Sequence, residues 1–153
     1  MEPFVFPALF EAGENGGFVV SFPDVPEAIT QGEDRTDAFR MAEEALGLAL
    51  LTYPKRGKPL PKPRAAASGL EPVAVAPETA AKLAVLSAFQ EAGISKTELA
   101  RRLHKDEKEV RRILSPMHPT KLSTLTEALR ALDMRLIVGV ENVSPSVHTI
   151  AAR

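Results

Sequence analysis

GGFVVSFPDVPEAITQGED, residues 16–34, alternates, turns and extends again. Phe18, Val20 and Phe22 fall on one side of an extended chain and Val19 and Ser21 on the other, the two-residue period of a strand. Pro23 and Pro26 bracket a turn, and Ala28–Gln31 has the length of a short third strand. The stretch holds no cysteine, histidine or lysine, and its only ionisable groups are acids. The use of an acidic sheet with no obvious nucleophile or base is the question this stretch raises.

Working outward, Phe4–Glu11 reads as a preceding strand, and Glu14–Gly17, ENGG, reads as the hairpin turn, because Asn and Gly accept positive φ. After the quoted stretch the period changes. Phe39, Ala42, Leu46, Ala49 and Tyr53 recur at helical spacing over Thr36–Tyr53, with Asp37, Arg40, Glu43 and Glu44 mostly opposite. A three-stranded meander covered by one amphipathic helix is a small α+β layer. Tyr53–Gly69, YPKRGKPLPKPRAAASG, holds four prolines and two glycines, which suits neither a helix nor a central strand. It is either a flexible linker or an extended strap on the first layer. Val73–Val75 can add a fourth strand. From Pro77, suited to a first helical position, the pattern is helical up to the stop signal Gly93.

The chain of 153 residues has room for one domain or two small ones. With 44% hydrophobic and 25% charged residues it has the composition of a folded protein. The absence of cysteine excludes a disulfide framework and thiolate metal sites. No apolar run is long enough for a membrane span. The start carries an acid where a signal peptide would be basic, so a soluble cytoplasmic protein is the expectation. The net charge of −1 hides an asymmetry. Residues 1–53 carry ten acids and two basic residues, residues 54–70 five basic residues and no acid, and residues 71–153 twelve basic residues and ten acids. Such asymmetry suggests partners of opposite sign for the two ends.

The second informative stretch is Lys96–Leu114, KTELARRLHKDEKEVRRIL. Ser95 with Glu98 fits a capping box, and Asp106 with Glu109 offers a second helix start. Leu99, Ala100 and Leu103 form one small apolar face, Val110, Ile113 and Leu114 another, and only HKD separates the two. This is the pattern of a helix-turn-helix, with His104 at a turn that usually prefers glycine. The second helix then exposes Lys108, Arg111 and Arg112 for base edges, and Thr97, Arg101 and Lys121, with Lys96 beside them, suit phosphates. The alternative is a purely structural helix pair with a solvated basic surface. Leu122–Leu132 predicts a last helix. Met134–Glu141 alternates like a strand that has no partner of its own, so Met134, Leu136, Ile137, Val138 and Val140 are candidate dimerisation residues.

Taken in order, GGFVVSFPDVPEAITQGEDRTDAFRMAEEALGLAL and KLAVLSAFQEAGISKTELARRLHKDEKEVRRIL with the terminal strand resemble the HicB antitoxin family of type II toxin–antitoxin modules. The resemblance covers nearly the whole chain. It implies a ribonuclease-H-like N-terminal α+β unit (1–75, with 54–70 as linker or strap) that has lost catalysis and binds a small basic HicA toxin, an mRNA interferase. It implies a helix-turn-helix unit with a terminal strand (76–141) that binds operator DNA as a dimer or larger assembly, followed by a tail (142–153). Glu11, Asp24, Glu27, Glu33 and Asp34 are then the candidate toxin contacts.

Other readings are weaker. Asp24, Asp34, Asp37, Glu43 and Glu44 lack the spacing of a metal-dependent nuclease. His104, His118 and His148 share no metal-ligand spacing, so no metal or cofactor is expected. Gly16-Gly17 is not followed by a phosphate-loop lysine and helix. The runner-up function is a transcriptional regulator whose first domain senses a small ligand between Phe18, Phe22 and Phe39. A third is an interaction module that never touches DNA.

Overall fold

A computed structural model describes residues 4–142. Its elements in order are β1 (Val5–Ala12), β2 (Phe18–Ser21), β3 (Ile29–Gly32), α1 (Arg35–Lys55), β4 (Leu70–Ala74), α2 (Pro77–Ala92), α3 (Lys96–Leu103), α4 (Glu107–Ile113) and α5 (Leu122–Ala131). The strands form one antiparallel sheet in the order β3-β2-β1-β4. The meander gains its fourth strand at an edge of the sheet, as expected. Its last strand starts at Leu70, three residues before the expected Val73, and pairs with β1 from Leu9↔Leu70 to Val5↔Ala74.

Alternation along the strands sorts the side chains as the sequence predicts. Phe6, Ala8, Val20, Phe22 and Val73 are buried against α1, with Phe10 and Phe18 partly buried beside them. Leu9, Val19, Ile29 and Leu70 lie on the opposite face, where Ile29 is 65% exposed. α1 starts with Asp34 as N-cap, its carboxylate accepting from the Asp37 N–H at 2.8 Å. Asp37 reaches back to accept from the Glu33 N–H at 2.9 Å. Gly32 is required there. A Cβ on it would stand 2.3 Å from the Ala38 nitrogen, so the first turn of α1 lies directly on β3.

α1 runs two residues beyond the expected stop at Tyr53, because Pro54 sits inside its last turn. Residues 58–67 have no regular structure, yet they are strapped to the first layer. The Asp24 carboxylate accepts from the N–H groups of Arg64 and Ala65, both at 2.9 Å, and Leu60 packs on the core.

α2 serves two cores. Leu83 and Leu86 pack into the core of the sheet and α1. Ala81, Val85 and Ala88 pack with Leu99, Val110, Ile113, Leu125 and Leu129 into a second core of α3, α4 and α5. Gly93 closes α2 in the left-handed conformation, as its position suggested. The turn between α3 and α4 has His104 left-handed at φ 53°, which histidine tolerates at some cost where glycine would be free of it. Met134–Glu141, expected to be extended and paired, forms no strand in the single chain. An isolated extended segment has no ladder to join. The expected tail, 142–153, and His148 within it lie outside the described residues, apart from Asn142.

Candidate partner-binding surfaces

On the acidic side, the five candidate contacts divide by what their side chains already do. Asp24 holds the strap, and Asp34 caps α1. Glu27 accepts from the Tyr53 hydroxyl at 2.8 Å. That bond holds the Glu27 carboxyl below the usual carboxylate range, while burial, and then Glu27, raises the Tyr53 phenol. Only Glu11 and Glu33 are exposed with no side-chain bond among the described residues. Asp24, a candidate toxin contact, anchors backbone forty residues away in sequence.

Arg35 was not singled out by sequence. Its guanidinium pairs with Glu71 of β4 and lies 5.3, 5.9 and 5.6 Å from the ring centres of Phe10, Phe18 and Phe39. It fills the space between Phe18 and Phe39 where a sensed ligand would have to sit. A cleft of about 420 Å³ opens elsewhere, between Phe4, Phe6, the strap residues Pro59–Pro63 and the end of α2.

On the basic side the caps form as predicted. Ser95 accepts from the Glu98 N–H at 3.0 Å and Asp106 from the Glu109 N–H at 2.8 Å. The Glu98 carboxylate does not complete the box. It is taken by Arg101, through Nε at 2.8 Å and Nη2 at 2.6 Å, and by Arg102 Nε at 3.0 Å. Arg101 and then Arg102 hold the Glu98 carboxyl down at about 2. The Thr97 hydroxyl donates to Glu107, which also meets Arg111 at 3.4 Å. Thr97 and Arg101, expected at phosphates, thus have partners inside the chain. The side chains of Lys96, Lys108, Arg112 and Lys121 are exposed and make no hydrogen bond or ion pair among the described residues. Arg112 and Lys121 are brought together. With Lys105, Glu109 and His118 they line a depression of about 210 Å³ between α4 and the start of α5. No side chain caps the first turn of α5 there.

Beneath this surface lies Lys82, which sequence reasoning missed. It is 5% exposed, and its ammonium donates to the Ile113 carbonyl at 2.7 Å, the Thr120 hydroxyl at 2.7 Å and the Arg112 carbonyl at 3.4 Å. It ties the last turn of α4 to α2 and to the segment before α5. Burial pushes the ammonium down to about 8. The signal was its setting: Ala80, Ala81, Leu83, Ala84, Val85 and Leu86 leave Lys82 no polar face to occupy.

The family profile described as "HicB_like antitoxin of bacterial toxin-antitoxin system" matches residues 5–84, from β1 into the middle of α2. The chain belongs to this antitoxin family. Antitoxin HicB 1 of Photorhabdus laumondii subsp. laumondii is 36% identical over 89% of this chain and 86% of its own length. Antitoxin HicB of Escherichia coli K12 is 34% identical over 86% of this chain and 95% of its own. Antitoxin HicB of Pseudomonas fluorescens Pf0-1 is 31% identical over 84% and 88%. Membership in a HicB-like antitoxin family implies a toxin partner, with the chain in a regulatory role. Among the described residues no helix is long and apolar enough to cross a membrane.

Proposed function

We propose that the chain neutralises a HicA-type mRNA interferase through its acidic sheet half and represses its own operon through α3 and α4. In this reading residues 1–75 are a ribonuclease-H-like unit without catalytic duty, and residues 76–141 a helix-turn-helix unit. α4 enters the major groove with Lys108, Arg111 and Arg112 toward base edges. Lys121, Lys96 and the uncapped start of α5 meet phosphates. Thr97 and Arg101 reach phosphates only by leaving Glu107 and Glu98. Both partners place the chain in the cytoplasm.

The observation that carries the reading is the conjunction of a family-matched acidic sheet half with a capped helix pair that exposes Lys108, Arg111 and Arg112. Dimerisation is supported by the exposed apolar side chains of Met134, Ile137, Val138 and Val140, at 51%, 59%, 69% and 98%. With Leu136 they pair with the same segment of a second copy and place two α4 helices side by side. The test has two arms on the purified full chain: co-purification with the toxin encoded with it, and a gel shift on its own promoter at several salt concentrations. A retarded promoter fragment that scrambled duplex does not reproduce, with affinity falling as salt rises, is the expected result. Equal retardation of both duplexes contradicts the operator reading, and sedimentation as a monomer at micromolar concentration contradicts the seam.

A further inference from the structure

The two edges of the sheet differ in a way that the ladder alone reveals. In an antiparallel sheet a residue directs its N–H and C=O to one neighbour, and the next residue directs them to the other. The Gly13 N–H donates to the Gly17 carbonyl at 3.0 Å, so in the same register Glu11 bonds with Val19 and Leu9 with Ser21. Phe18 and Val20 are therefore turned to β3, where they meet Gly32 and Thr30. That leaves Ile29 and Gln31 with both backbone groups aimed outward. No described backbone or side-chain group bonds to them there.

At the other edge the Val75 N–H donates to the Phe4 carbonyl at 2.9 Å, so Val73 and Glu71 bond with β1. The outward residues are Leu70, Pro72 and Ala74. Pro72, at the middle, has no N–H to offer. One edge carries the proline that natural sheets use to block strand addition, and the other carries no proline and no charge in ITQG.

We infer that β3 is a receptor edge, which takes an extended segment of the partner toxin, neutral in its centre and cationic at its flanks, as a fifth strand. This rests on the toxin-binding reading above. Glu27, Glu33 and Asp34 bracket the edge and are exposed. The neighbouring cations are engaged, Arg35 with Glu71 and Arg40 with Asp37. Ile29 offers an exposed apolar side chain as an anchor. A second copy of the chain fits poorly: antiparallel pairing of the outward residues, Ile29 opposite Gln31, sets Glu27 against Glu33 at both ends, and like charges directly opposite destabilise a ladder. Main-chain bonds would supply affinity and the flanks selectivity, as in other strand-addition complexes.

The experiment is single-residue amide exchange by NMR on the full chain, alone and with an inactive variant of the toxin encoded with it, together with the affinity of Gln31→Pro. The Gln31 N–H takes no part in the β2–β3 ladder, so the substitution blocks the edge as Pro72 blocks the other. Thr30 and Gly32 should be protected in the free chain, and Ile29 and Gln31 only with toxin. Gln31→Pro should weaken the complex about tenfold or more. A folded Gln31→Pro chain that binds like the wild type overturns the inference. Should that variant fail to fold, the wild-type exchange pattern decides: Ile29 and Gln31 still unprotected in the complex overturns it. Protection of both that rises with the chain's own concentration also overturns it, in favour of a second copy. A wild-type chain that binds no toxin sinks the proposed function itself, a result distinct from all of these.

Discussion

The sheet half and the helical half spend their charged groups differently. In the first, four of the acids hold the chain to itself: Asp24 fastens the strap, Asp34 and Asp37 shape the start of α1, and Glu27 receives Tyr53. Of the candidate contacts, Glu11 and Glu33 remain for a partner. In the second, Ser95 and Asp106 do the capping and Glu98 and Glu107 restrain Arg101, Thr97 and Arg111, while Lys96, Lys108, Arg112 and Lys121 stay unengaged among the described residues. Net charge by segment points to partners of opposite sign, but the residues available to those partners are the ones without an internal task.

The two halves also share α2, and breaking that sharing should have the largest effect. Leu83 faces the first core and Val85 the second, both 0% exposed. Leu83→Ala should cost about 2–5 kcal/mol and Val85→Ala somewhat less. Both should lower one common transition, because a helix cannot lose one face and keep the other. Tyr53 is the only tyrosine and there is no tryptophan, so its fluorescence reports the first half while helical circular dichroism weights the second. Coincident midpoints are expected. Separate midpoints, each moved by one variant, would divide the halves into independent units.

Next in size is Lys82, the buried cation that joins α2 to α4. Lys82→Met should cost about 1–3 kcal/mol by leaving the Ile113 carbonyl without a partner. It also changes the pH response. The folded ammonium titrates near 8 against 10.5 for an ordinary lysine. Between those values the unfolded chain binds more protons, so this group makes stability rise with pH through that window. The rise is at most about 3 kcal/mol, since the bound oxygens favour the ammonium and oppose burial. Urea titrations of both proteins from pH 7 to 10 check this: the lysine contribution should vanish in Lys82→Met.

On the basic surface, Arg112→Ala should weaken operator binding by about 1–3 kcal/mol and relax preference at one base pair. Arg101→Ala should do less, because its guanidinium is already forked onto Glu98. Equal losses in titrations on operator and scrambled duplex would mean that the Glu98 fork opens on DNA.

The smallest contrast sharpens the acidic side. Asp24→Ala should cost about 1–2 kcal/mol in thermal unfolding by releasing two N–H groups of the strap. Glu33→Lys should leave stability alone and slow toxin association at low salt. Identical kinetics for Glu33→Lys and wild type would remove that acid from the interface.

Much of this was legible because it is local. Alternation over Phe18–Phe22, the caps at Ser95 and Asp106, the stop at Gly93 and the left-handed His104 all depend on residues within four or five positions. What was not legible joins distant segments. Asp24 meets Arg64 and Ala65, Lys82 meets Ile113 and Thr120, and Arg35 meets Glu71. No periodicity encodes such pairs. β4 was placed late because Pro72 interrupts its pattern, although the proline sits where a missing donor faces outward. Pro54 read as a breaker, yet a last helical turn can end on it.

The most direct test of the central claim is inhibition of the active toxin. The full chain is titrated into a fixed amount of the toxin encoded with it, with cleavage of a defined messenger RNA as the readout, in parallel with Arg112→Ala. The account predicts stoichiometric loss of cleavage and the same titration curve for both proteins, because inhibition resides in the sheet half. Continued cleavage at a large excess of the wild-type chain would contradict the claim, and inhibition lost only in Arg112→Ala would place the toxin on the basic surface instead.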